Sequence, residues 1–124
     1  MRYNNNEIGN VSLGTAIGYF TNSGCIVSIP LTDTQDYDLL VDFDGVIKKV
    51  QVKGTTFKTS YGIYQVSLKS AGGTKGKIYK TITKTDIDLV FVATADGDMY
   101  LISKNVIHNS SSINLSKKYS CYRL

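Results

Sequence analysis

Two short runs, Tyr37-Asp38-Leu39-Leu40-Val41 and Val50-Gln51-Val52-Lys53, interleave apolar and polar positions on either side of Asp44-Gly45. An Asp-Gly pair between apolar runs predicts a two-residue hairpin, because both residues tolerate the positive φ of a primed turn. With those two as the loop, Phe43 pairs with Val46. Counting outward sets Asp42 opposite Ile47, Leu40 opposite Lys49 and Asp38 opposite Gln51. Opposed side chains lie roughly 4.5–5.5 Å apart at Cβ and diagonal ones roughly 7–8 Å. Lys53 shares the face of Gln51 by the period of two along a strand. A carboxylate, an amide oxygen and an ammonium are therefore expected together near one end of the hairpin.

Other patterns surround this hairpin. From Asn6 to Asn22 the apolar positions Ile8, Val11, Ala16, Ile17 and Phe20 follow helical spacing, and Gly24 stops the run. Asn4 and Glu7 have the spacing of a capping box, with Asn4 as N-cap. Gly9, Gly14 and Gly18 weaken this helix, so it needs tertiary support. Cys25 to Ile29 predicts a strand ended by Pro30, the only proline, and a polar loop over 31–36 leads into the hairpin. Strands are expected over 62–68, 88–94 and 99–103, the last two around Asp96-Gly97, and the tail 117–124 as a final edge strand. The segment 70–77 reads as a mobile basic loop without the spacing of a phosphate-cradling P-loop. With no repeat or linker, residues 1–124 read as one α+β domain, a mixed sheet with an N-terminal helix.

Composition narrows the classes. The longest apolar run, Leu89 to Ala93, is far too short to span a membrane, and no signal peptide opens the chain, so an intracellular protein is expected. Cys25 and Cys121 read as reduced core thiols. Abundant Asn, Ile, Lys and Tyr hint at an AT-rich, phage-type source. The net charge of +4 is unevenly spread. Nine lysines and no acid occupy residues 48–84, directly after five of the ten acids (Asp33 to Asp44). Acid beside base suits a protein that holds a divalent cation and a polyanion together, with a solvated lysine face as the alternative. Lys49, Lys58, Lys69, Lys75, Lys77 and Lys80 are the candidate phosphate contacts.

Phosphodiester hydrolysis needs a cation to polarise phosphate and acidify water, with protein charge to meet the developing negative charge. Magnesium takes oxygen ligands and keeps several waters, so one carboxylate with neutral oxygens suffices, and manganese can replace it. Asp38, the Gln51 amide oxygen and the Val52 carbonyl are candidate ligands. Glu7, the only glutamate, is a further one. Lys53 would orient the nucleophile or steady the phosphate. The plainer alternatives are that Asp38 starts a strand, Gln51 and Lys53 face water, and Glu7 only caps its helix. His108, the lone histidine, excludes histidine-rich metal clusters. Tyr61, Tyr64 and Tyr79 alternate with lysines and have two readings. They stack on unpaired bases or, as favoured here, sit half-buried in strands.

Val50-Gln51-Val52-Lys53 resembles the (D/E/Q)-x-K element of the PD-(D/E)xK nuclease superfamily, with Asp38 at its first acid. Residues 24–53 are similar to the group I intron-associated homing endonucleases of that superfamily, and to archaeal-type Holliday junction resolvases. The resemblance implies an α/β/α-like, restriction-endonuclease-like core and Mg²⁺-dependent DNA cleavage. It also implies catalytic roles for Glu7, Ser28, Asp38 and Lys53. Gln51 departs from the acid of most resolvases and matches the intron-associated branch. The expected activity is a magnesium-dependent endodeoxyribonuclease working as a homodimer or higher oligomer. The absence of an appended recognition module and the presence of only two arginines favour structure-selective, resolvase-like cleavage of branched DNA, which is the expected activity, whereas Gln51 favours the alternative of a site-specific homing endonuclease. A non-catalytic DNA-binding module on the same fold is the third reading.

Overall fold

The computed structural model describes residues 4–71, 79–80, 82–107 and 111–124. Helix α1 (Asn5–Asn22) opens on the expected capping box. Glu7 N–H donates to Asn4 Oδ1 at 2.9 Å, and Asn4 N–H to Glu7 Oε2 at 2.8 Å. Its buried residues, Ser12, Ala16 and Phe20, recur every four positions and form one stripe, which supplies the support that its glycines require.

That stripe lies on a five-stranded mixed sheet. The strands β1 (Ile26–Ser28), β2 (Leu39–Phe43), β3 (Val46–Thr55), β7 (Leu89–Thr94) and β8 (Met99–Ser103) stand side by side in this order. Only the β3–β7 pair is parallel. The β2–β3 hairpin turns at Asp44 (φ 53°) and Gly45 (φ 94°), both in the left-handed region that a primed turn demands. Gly45 N–H donates to Asp42 Oδ1 at 2.6 Å and braces the turn. The resulting register pairs Phe43 with Val46, Asp42 with Ile47 and Leu40 with Lys49, as the Asp-Gly signal predicts.

Each face of the sheet has its own core. On the helix side Ala16 and Phe20 pack on Leu39, Val41, Val50, Phe91 and Ala93. On the other side Val90, Val92, Tyr100 and Ile102 pack on Val66, Leu68, Ile82, Ile107 and Ile113. Short strands and 3₁₀ turns form that second layer. They include β4 (Gln65–Ser67), paired with β9 (Ser112–Asn114), and β5 (Ser70–Ala71), paired with β6 (Tyr79–Lys80). The expected strand over 62–68 is thus shorter and belongs to a separate two-stranded sheet.

Three expectations are corrected. Tyr61 is not half-buried in a strand but 88% exposed in the turn that Gly62 closes. The tail is a 3₁₀ helix over Lys117–Tyr122 rather than an edge strand, because Tyr119 turns inward to the core and Ser120 Oγ closes a local bond to Lys117 C=O. Its end bonds to the sheet, through a bridge from Arg123 to Tyr100 and a bond from Leu124 N–H to Met99 C=O at 2.8 Å. Both cysteines are free as expected, and Cys25 is half-buried against the helix-side core, but Cys121 is exposed and is not a core thiol. Among the described residues no helix is long and apolar enough to cross a membrane.

Candidate active site

Asp38 stands one residue before β2 and extends its ladder, its N–H donating to Val50 C=O at 2.9 Å. Its side chain then takes the place of the next rung, with Oδ2 accepting Val52 N–H at 2.7 Å. A strand residue presents N–H and C=O to the same side. The Val52 carbonyl therefore opens into the same gap, where β3 runs on beyond the start of β2. Asp38 Oδ1 is the carboxylate oxygen that this bond does not use.

Gln51 and Lys53 project from the face opposite Val50 and Val52, which pack toward the helix. Gln51 is buried, at 6% exposure, and its Nε2 donates to Asp36 C=O at 3.2 Å. A carboxylate here would face that carbonyl oxygen, which gives a physical reason for an amide. Lys53 Nζ donates to Lys69 C=O at 3.1 Å. Counted over the whole residue Asp38 is exposed, yet surrounding protein crowds its carboxyl group. Burial raises its pKa, against the lowering pull of Val52 N–H and the Lys53 charge. Burial lowers the pKa of Lys53, opposed by the Asp38 charge. Desolvation is the largest influence on both groups, and it opposes the charged form of each.

One carboxylate, one backbone carbonyl and one amide form a hard, oxygen-rich donor set. It suits a cation that keeps much of its water, as magnesium does. Among the described residues no three His, Cys, Asp or Glu side chains converge, so a closed, all-side-chain metal cage is absent there.

The family model for PD-(D/E)XK endonucleases matches residues 3–120, nearly the whole of this sheet and helix. The chain belongs to the PD-(D/E)XK endonuclease family. Among solved structures, this endonuclease is similar to a bacterial homing endonuclease, I-Ssp6803I, with a TM-score of 0.82 and 23% identity. The match covers 98% of this chain and 89% of that one, and at this identity it is a likeness of fold. No curated protein matches the chain.

Within this nuclease the structure brings Asp38, Val52 and Lys53 together, with Gln51 on the face of Lys53 and held by Asp36, and leaves other candidates apart. Glu7 is held in the capping box, and no hydrogen bond or ion pair joins it to Asp38, Gln51 or Lys53. Ser28 is exposed on β1 opposite Leu40, on the site's face but two strands from β3 and level with Lys49, so roughly 16 Å separates it from Lys53. Lys49 Nζ pairs with Asp86 at 2.7 Å, and Lys58 Nζ with Asp96 at 3.3 Å. The Lys69 side chain is exposed. Lys75, Lys77 and His108 lie outside the described residues, as do most of the 70–77 loop and the side chains of Tyr79 and Lys80.

Two contributors escaped the sequence reading. Asp36 holds Gln51 through its carbonyl, and its Oδ2 accepts Asp86 N–H at 2.8 Å, tying the loop before β2 to the lead into β7. No local pattern signals a contact across fifty residues. Gly54 follows Lys53 at the point where α1 crosses β3. A methyl group there would overlap Ser12 Oγ and stand 2.9 Å from Ile8 Cγ2. A glycine inside a strand is a readable mark of close backbone approach.

Proposed function

We propose that this endonuclease hydrolyses DNA phosphodiester bonds with Mg²⁺, replaceable by Mn²⁺, bound by Asp38 and the Val52 carbonyl with Gln51 beside them. One observation carries the reading: the crowded Asp38 carboxylate is fixed on Val52 N–H within the electrostatic reach of Lys53. When bound, the cation supplies Lewis-acid polarisation of the phosphate and a more acidic water. Asp38 presents Oδ1 to it while Val52 N–H holds Oδ2 still. Gln51, anchored on Asp36, keeps its amide in one orientation and fills the floor of the site. The Lys53 ammonium, tethered to Lys69 C=O, meets the negative charge that develops on the phosphate oxygens.

Glu7 would join the cation by releasing Asn4 N–H, at the cost of one capping bond, about 1 kcal/mol. Ser28 contacts the DNA backbone at the rim. Lys69 supplies phosphate contacts next to Lys53, with Lys75, Lys77 and Lys80 after it. Lys49 and Lys58 reach phosphate only by leaving Asp86 and Asp96. The pairing of those two lysines weakens the case for a uniform basic surface that reads branch shape. Together with Gln51 and the likeness to a homing endonuclease, it favours duplex DNA over a four-way junction. One site per chain and two strands to cut call for a homodimer.

The test compares supercoiled plasmid with a synthetic four-way junction, each with and without Mg²⁺, using wild type and Asp38→Asn. Expected are Mg²⁺-dependent nicks in plasmid that vanish in Asp38→Asn, while that variant still binds DNA. Cutting at equal rates by Asp38→Asn removes Asp38 from the metal shell. Tight DNA binding by folded protein that cuts in neither Mg²⁺ nor Mn²⁺ replaces the nuclease reading with a binding module. Strong preference for the junction restores the resolvase reading.

A further inference from the structure

Residues 56–64 join β3 to β4 and carry two large aromatic rings into water, Tyr61 at 88% and Phe57 at 61% exposure. Scattered apolar side chains on a surface are ordinary, but two large rings in one nine-residue segment are a display. The segment is a hydrogen-bonded hairpin end. Lys58 and Tyr64 form a bridge, Thr59 N–H donates to Ile63 C=O at 2.8 Å, and Gly62 N–H donates to Thr59 C=O at 2.9 Å. Gly62, at φ 75°, makes the turn beside Tyr61. The base is fastened by Gln65 N–H to Phe57 C=O at 3.0 Å and by Thr55 Oγ1 to Gln65 C=O at 2.5 Å. Tyr61 therefore rides on a braced tip.

The only charged residue in the segment is Lys58, and its ammonium is drawn back onto the body. It lies 3.3 Å from Asp96 Oδ2 and 4.8 Å from the centre of the Tyr64 ring. A loop built to grip phosphates would present free cations. This one presents ring faces and hydroxyl groups. It also begins three residues after Lys53, just past the end of β3, so Phe57, four residues on, lies at most roughly 13 Å from Lys53 along an extended backbone. That span is about four nucleotides at 3.4 Å per step.

We propose that this loop stacks on nucleobases, with Tyr61 and Phe57 receiving bases unstacked from the DNA strand held at the Lys53 site. The proposal rests on reading that site as a DNA site. Every base offers a π face, so such contacts grip and distort DNA with little sequence preference. The loop would open the duplex beside the bond to be cut and expose its backbone to Asp38 and Lys53.

The test is binding in EDTA, which separates it from any failure of cleavage. Fluorescence anisotropy would compare a mixed-sequence single-stranded oligonucleotide with one of equal length built from abasic residues, which keeps the phosphates and lacks the bases. Wild type should bind the base-bearing strand at least ~5-fold more tightly. Tyr61→Ala and Phe57→Ala should each pull that ratio toward one while leaving the abasic affinity unchanged. Tyr61→Phe, which keeps the ring, should restore it. A ratio near one in wild type, or an unchanged ratio in both alanine variants with intact thermal melts, overturns the proposal. An unchanged ratio together with loss of self-association in sedimentation overturns it in favour of a protein–protein contact.

Discussion

Lys49 and Lys53 lie four residues apart on one strand and one face, yet their surroundings make them opposite kinds of lysine. Lys49 has its ammonium 2.7 Å from Asp86 and 5.7 Å from the centre of the Tyr37 ring. The hydrogen bond to Asp86 raises its pKa above the usual lysine value. Lys53 meets a neutral carbonyl, and among the described residues no carboxylate stands within ion-pair distance of it. Burial pulls its pKa down, and the nearby Asp38 is itself crowded. At the hairpin end of β3 the fold completes its own charges. At the other end Asp38 and Lys53 hold only backbone hydrogen bonds and feel each other's charge without forming an ion pair, and under the proposed function a metal ion and a phosphate are their further partners.

Breaking that contrast gives the largest expected effect. Lys53→Ala should reduce plasmid nicking by about 10²-fold or more, as loss of a group aimed at developing charge does, with no loss of thermal stability. Lys49→Ala, which removes an exposed ion pair, should change nicking and stability little, since such pairs are worth about 0–1 kcal/mol. Equal loss in the two variants would erase the distinction between them.

A second test asks whether the helix crossing fixes the active end of β3. Gly54→Ala should destabilise by about 1–3 kcal/mol through overpacking against Ser12 and Ile8, lowering Tm by several degrees. Adding Ser12→Ala should recover part of the loss, because it removes the atom in closest conflict. A Tm that ignores Gly54→Ala would show that the crossing has slack.

The smallest effect concerns pH. Native Asp38 holds its proton above the ordinary value of 3.8, where the unfolded chain has already released it. Stability of the metal-free protein should therefore fall as pH rises through that window, by less than about 1 kcal/mol for a partly solvated charge. Mg²⁺ should restore it at neutral pH, and Asp38→Asn should abolish both responses. Melting curves in EDTA and in Mg²⁺ across pH 3–7 measure this. A metal-free stability that climbs with pH through the window and does so less in Asp38→Asn would reverse the sign assigned to Asp38.

Much of the frame was legible because it is local. Asp44-Gly45 encodes the hairpin register, Asn4 with Glu7 encodes the helix start, and a period of two puts Gln51 and Lys53 on one face. What stayed hidden depends on distant partners. The bond from Lys49 to Asp86 spans 37 residues and that from Asp36 to Asp86 spans 50, and neither leaves a pattern in a short window. The tail misled because Tyr119 answers to the core rather than to strand alternation. Glu7 satisfies two descriptions at once, cap and ligand, and the capping box is the one the fold displays.

β3 is held on one side by antiparallel β2 and on the other by parallel β7, with packed layers above and below. Placement at 38, 51 and 53 is thus a property of the main chain, and the groups mounted there are interchangeable parts. Under the proposed function, a single exchange at 38 or 53 would end hydrolysis and leave the scaffold that carries the polymer in place. The exchange with a local penalty is Gln51→Glu, which sets like dipoles against each other at Asp36.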